Sequence, residues 1–68
     1  MEIIVEDDSP LCEAKLGELN LPPHSLVISV LREGEAQIPT GDTVFQSGDV
    51  LLILVPAALE STLREFLV

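Results

Sequence analysis

The sequence predicts a small α+β domain in the order β-α-β-β-β-β-α, a mostly antiparallel sheet with helices packed on it. Three observations carry that prediction. The run "VLLILV" at 50–55 is an uninterrupted apolar strand. The stretch from Ser9 to Asn20 spaces its apolar residues as a helix does, and the closing stretch from Ala57 onward does so again. At 68 residues the chain is one domain, and a domain of this size buries only about 60% of the surface its unfolded chain exposes.

Each element has its own warrant. In "MEIIVED", Ile3, Ile4 and Val5 are β-favouring residues between acids, the pattern of a first strand. Ser9 or Asp8 can then cap a helix, with Pro10 at its first position and Glu13 near the positive end of its dipole. Cys12, Leu16 and Leu19 fall at i, i+4 and i+7, and Asn20 with Pro22-Pro23 stops the helix. Gly17 inside it costs about 1 kcal/mol relative to alanine, which points to close approach of another backbone there.

"SLVISVLREGEAQIP" reads as strand, turn and strand, with Gly34 at the bend. Leu26 to Leu31 are apolar apart from Ser29, so both faces of that strand are expected to be covered. Two Gly-Asp dipeptides, Gly41-Asp42 and Gly48-Asp49, bracket Thr43 to Gln46, which leaves room for one very short strand between turns. "VLLILV" follows and is closed by Pro56. Leu59, Leu63, Phe66 and Leu67 then sit at i, i+4, i+7 and i+8, the stripe of a terminal amphipathic helix.

Composition narrows the function. Hydrophobic residues make up 47% of the chain but aromatics only 3%, so the core is aliphatic and no rings are available to stack on bases. A net charge of -9 repels phosphate backbones, which argues against nucleic-acid binding. No apolar run approaches the roughly 20 residues of a membrane-spanning helix. The start has no basic segment of a signal peptide, so the expected location is cytoplasmic. Cys12 and His24 are each alone, which leaves no internal disulfide and no Cys/His structural zinc site. Self-association is the remaining way for so small a domain to gain stability.

The candidates for chemistry are few. Cys12 is read as a small core residue among Asp7, Asp8 and Glu13, and His24 as a loop histidine lacking an orienting partner. The clusters Asp7-Asp8 and Glu33/Glu35 lack the alternating ligands of a calcium loop, so no metal site is expected within one chain. In the Gly-Asp pairs, glycine supplies a positive φ and the aspartate closes the turn on nearby N–H groups, so Gly41, Asp42, Gly48 and Asp49 are structural. Arg32, at the end of the second strand, is either a solvated charge beside Glu33 and Glu35 or the one group suited to hold an anion through its planar fork.

Together these residues resemble the C-terminal domain of RCK proteins, the regulator-of-K⁺-conductance or TrkA-C domain. The resemblance rests on "SPLCEAKLGELNLP" with Ser9, Pro10, Leu16, Gly17, Leu19 and Pro22, on "VISVLREG" with Arg32 and Gly34, and on "IPTGDTVFQSGDVLLIL" with Pro39, Asp42, Gly48 and Asp49. Glu18 stands where the family usually has a basic residue. The resemblance covers about the whole chain and implies a non-catalytic, ligand-sensing module that forms a homodimer and regulates a potassium or other cation channel or transporter. It implies as partners an RCK N (nucleotide-binding) domain or a membrane transporter, the chain then being a fragment of a larger protein. It also implies a possible ligand, cyclic di-AMP or a cation, at the dimer interface. Carried over by position, such a pocket would use Val27, Ile28, Arg32 and Pro39, with Arg32 nearest a phosphate. The alternative is another small protein-interaction module or a β-grasp sulfur carrier, the carrier being similarly acidic and short with a Gly-Asp before a late apolar strand. The carrier needs a terminal Gly-Gly where this chain has Phe66-Leu67-Val68. A minimal hydrolase would need an assembled nucleophile and base that the sequence does not show.

Overall fold

A computed structural model describes residues 1–67, with side chains through Glu65. Four strands, β1 (Glu2–Ile4), β2 (Leu26–Arg32), β3 (Glu35–Gln37) and β4 (Val50–Leu54), form one antiparallel sheet in the order β1-β4-β2-β3, and a helix, α1 (Glu60–Leu67), follows. The apolar run "VLLIL" becomes β4, which lies between β1 and β2 and pairs with both.

One face of the sheet carries the core. Ile3, Val5, Val27, Val30, Leu51 and Ile53 are buried there with Leu11, Phe45 and Leu63. Val27 and Val30 are three residues apart, which a regular strand would send to opposite faces. A β-bulge between Val27 and Ser29 inserts the extra residue that brings both inward. Leu63 reaches the core from α1 with Leu59 half-buried, while Phe66 and Leu67, the rest of the expected stripe, have side chains outside the described residues.

The expected helix from Ser9 to Asn20 does not form, nor does a strand at 43–46, and the two departures have one cause. The segments pair with each other. Glu13 N–H donates to Phe45 O at 2.8 Å, Phe45 N–H to Ala14 O at 2.9 Å, Leu16 N–H to Thr43 O at 3.0 Å and Gly17 N–H to Gly41 O at 2.9 Å, with a β-bridge between Lys15 and Val44. The N–H groups of Glu13, Leu16 and Gly17 are ones a helix would have spent on carbonyls one turn back. A short helix containing a glycine is marginal on its own, so tertiary bonds displace it. Glu13 marks the break, with φ at 66° in the left-handed region, and only a 3-10 turn, Leu16–Glu18, remains. The apolar spacing still serves burial, since Leu11 is buried and Cys12, Leu16 and Leu19 pack against the core.

Gly17 is where the two segments touch. A Cβ built on it would meet Gly41 O at 2.9 Å, which is the close backbone approach its place in the sequence suggests. Gly41 itself does not have a positive φ, so the expectation that it supplies a left-handed turn is corrected: Thr43 N–H donates to Thr40 O and Thr40 N–H to Thr43 Oγ1 to close that turn. Asp42 contributes only its N–H, to Thr40 Oγ1, and its side chain is exposed. Gly48 does have a positive φ, 92°, in the Gln46–Asp49 turn, the third position where a type II turn favours glycine. Between β2 and β3, Glu33 and Gly34 both have positive φ, as a two-residue type I′ hairpin requires.

Gly17→Ala and Gly48→Val are each expected to lower stability by roughly 1–3 kcal/mol, one by forcing two backbones apart and the other by left-handed strain. Thermal unfolding followed by circular dichroism measures both. An unchanged Tm for Gly48→Val would remove the turn from among the fold's requirements.

Candidate functional site

Asp49 is the one buried charged residue among those described. It sits at the end of the Gln46–Asp49 turn and leads into β4, so the turn aims its carboxylate back toward the end of β2. There Arg32 meets it with both prongs of its fork: Nε donates to Oδ1 at 2.9 Å and Nη2 to Oδ2 at 2.7 Å. Gln46 N–H donates to Oδ2 at 2.9 Å, and Arg32 Nη2 also reaches Val44 O at 3.0 Å. Two-pronged pairing of this kind combines charge with fixed orientation, which a lysine at position 32 could not reproduce.

The arrangement shifts both groups. Hydrogen bonds from Arg32 hold the Asp49 carboxyl below its ordinary value, helped by the Gln46 N–H and the arginine charge, while burial pushes the other way. The Asp49 hydrogen bond and charge hold Arg32 above its ordinary value against some desolvation. Arg32 is therefore committed within the chain rather than waiting beside Glu33 and Glu35.

The other positions named from the sequence do not converge on one surface. Val27 is buried on the core face opposite Ile53, whereas Ile28, in the bulge, is exposed. Pro39 is half-buried beyond β3. Cys12 is a half-buried free thiol, and His24 is exposed with φ at 66°. The Ser47 hydroxyl donates to Asp7 Oδ1. Among the described residues no group of three or more His, Cys, Asp or Glu side chains is placed to hold a metal ion.

What the sequence reading missed is the second face of the sheet. Both faces of β2 were expected to be covered, yet the face away from the core is open and apolar. Its cross-strand rows run Ile4, Val50, Leu31, Ala36; then Glu2, Leu52, Ser29; then Leu54, Leu26. Ile4, Leu26 and Leu54 are 64%, 58% and 59% exposed, and Leu31 and Leu52 are exposed beside them. The segment from Leu11 to Leu19 packs on the core side and so does not cover this face. The available signal was the apolar residue at every outward position of β4 and at Leu26 and Leu31 of β2, which a solvated face would have made polar.

A family model for the TrkA-C domain matches residues 1–68, the whole chain. The chain belongs to the TrkA-C domain family. TrkA-C domains are regulatory domains. Solved structures agree on the fold of this TrkA-C domain. One described as an RCK domain with cda superposes with a TM-score of 0.83 at 20% identity, covering 100% of this chain and 96% of the other. Another, the RCK_C domain dimer of S. agalactiae BusR in complex with c-di-AMP, superposes with a TM-score of 0.79 at 23% identity, covering 97% and 91%. No helix among the described residues is long and apolar enough to cross a membrane.

The depressed Asp49 pKa has a defined consequence for this TrkA-C domain. Because the folded value lies below the unfolded one, the pair's contribution is complete above the ordinary carboxylate range and is lost as pH falls through the folded value. Asp49→Ala should cost about 3 kcal/mol near neutral pH, since Arg32 and the Gln46 N–H lose their acceptor. The gap in stability between wild type and Asp49→Asn, followed by urea denaturation, should shrink steadily below about pH 4. A gap independent of pH would show that the charge of Asp49 contributes nothing.

Proposed function

We propose that this chain is a non-catalytic, ligand-sensing module that forms a homodimer through the open face of its sheet and regulates a potassium or other cation channel or transporter. The observation that carries the reading is that face. Leu26, Leu31, Leu52, Leu54 and Ile4 form a contiguous apolar surface of the kind that marks interaction sites on soluble domains. A second copy is the occupant the family suggests, one structural neighbour being described as a dimer. A two-fold arrangement would place the same patch on both sides, so each copy covers the other's leucines. In the whole protein an RCK N domain or a membrane transporter would receive the signal as a change in the geometry of that pair.

The ligand proposed for the seam is cyclic di-AMP, which the same neighbour is described as binding. Ile28 and Pro39 are the carried-over positions accessible to it, Val27 being in the core. Arg32 would approach a phosphate with Nη1, which is not engaged among the described residues, while Nε and Nη2 stay on Asp49. A ligand of this kind regulates only by binding two arrangements of the dimer with different affinity.

Light scattering across concentration is expected to give a dimer at micromolar concentration, and Leu52→Glu, which places charge at the centre of the face, should return a folded monomer. A strict monomer for the wild-type chain at high micromolar concentration removes the dimer reading. Titration calorimetry with cyclic di-AMP is expected to give saturable heat. Its absence would remove that ligand and leave the dimer, which scattering tests separately.

A further inference from the structure

β1 is an outer strand of the sheet, with β4 on one side of it. Ile53 N–H donates to Met1 O and Val5 N–H to Asp49 O, both at 2.8 Å, so the odd-numbered residues turn their backbone groups toward β4. In an antiparallel ladder the alternate residues face the other way. The N–H and C=O of Glu2 and Ile4 and the N–H of Glu6 therefore point to the open edge, which ends where Ser9 N–H takes the Glu6 carbonyl. A hollow of about 270 Å³ runs along this edge, lined by Glu2, Ile3, Ile4, Glu6 and Arg64. Because Arg64 belongs to α1, the hollow has a strand edge for one wall and a helix for the other.

We propose that this edge accepts an extended basic segment of a partner protein as an added antiparallel strand between β1 and α1. Unpaired edge groups give main-chain affinity, and the side chains beside them give specificity. Glu2 and Glu6 flank the exposed Ile4 at alternate positions, so the matching segment carries Lys or Arg opposite each acid and an apolar residue opposite Ile4. The pattern is basic-x-apolar-x-basic, and the intervening positions face α1, where Arg64 favours small polar or acidic residues. A second copy of this chain is a poor occupant. In the longest register, centred on Ile4, each Glu2 would lie directly across from the other copy's Glu6, a repulsive like-charge pair. The net charge of -9 steers basic segments toward the chain in general, but among the described residues this edge, unlike the outer edge of β3, has a hollow walled by a helix beside its acids.

The test uses the blocked peptide Lys-Thr-Val-Thr-Lys and amide chemical shifts of the isotopically labelled chain. Shifts are expected at Glu2 to Glu6 and around Arg64. They should be lost when the valine of the peptide is N-methylated, which removes a ladder hydrogen bond without touching the protein. The exposed double variant Glu2→Lys/Glu6→Lys should bind this peptide about tenfold more weakly and bind Glu-Thr-Val-Thr-Glu instead. Three results would each overturn the proposal: no shifts up to about 5 mM peptide, shifts that survive N-methylation, or shifts spread over Glu33, Glu35 and other distant acids.

Discussion

Asp49 is the point at which β1, the end of β2 and residues 44–46 are joined. Arg32 brings the end of β2 to it, Gln46 brings the start of the last turn, and through Arg32 Nη2 the carbonyl of Val44 is held in the same cluster. The backbone of Asp49 accepts from Val5, so β1 is fastened at the same residue. Burying a charge is unfavourable unless every oxygen is satisfied, and here both are. The rest follows from that corner: it sets where β4 begins, and β4 sets the register of β1 and β2 on either side.

The corner also explains why the domain needs no helix in its first half. With 41–45 anchored at Phe45, which is buried, and at Val44, a run of carbonyls and N–H groups is presented to residues 13–17. Pairing with that run satisfies the backbone of both segments without a regular element. Gly17 makes the approach possible and Leu11 and Phe45 fill the space beneath. Among the described residues the core is consequently aliphatic around the ring of Phe45, and it lies on one side of the sheet.

A one-sided core gives the sheet two unlike surfaces. The outer face is apolar across β2 and β4, and at its β1 margin, where Ile4 belongs to both the face and the open edge, Glu2, Ile4 and Glu6 alternate acid, isoleucine and acid. These surfaces are suited to different contacts, the first to a like face and the second to something of opposite charge. Two of the three basic residues stand beside acids, Arg32 bound to Asp49 and Arg64 3.7 Å from Glu60, which leaves Lys15 against a strongly negative field. Approach of an anion to this domain is therefore an uphill encounter that a specific pocket would have to offset.

Local pattern alone determined a good deal: the strands at Ile3, at Leu26 to Leu31 and at Val50 to Leu54, the hairpin at Gly34, the terminal helix and the antiparallel α+β class. Those features depend on contiguous apolar runs and on turn residues, whose preferences are local and strong. The close contact at Gly17 was legible too, because a glycine in an otherwise helical pattern needs a reason. Tertiary structure decided what local pattern could not. The spacing of Cys12, Leu16 and Leu19 fits a helix as well as a ribbon lying on the core, and only the carbonyls of 41–45 choose between them. The apolar residues of β2 and β4 say that both faces avoid water, but not that one of them waits for a partner. The pairing of Arg32 with Asp49 joins residues 17 apart in sequence, and no periodicity reaches that far, because it exists only once the last turn has aimed the aspartate at the end of β2.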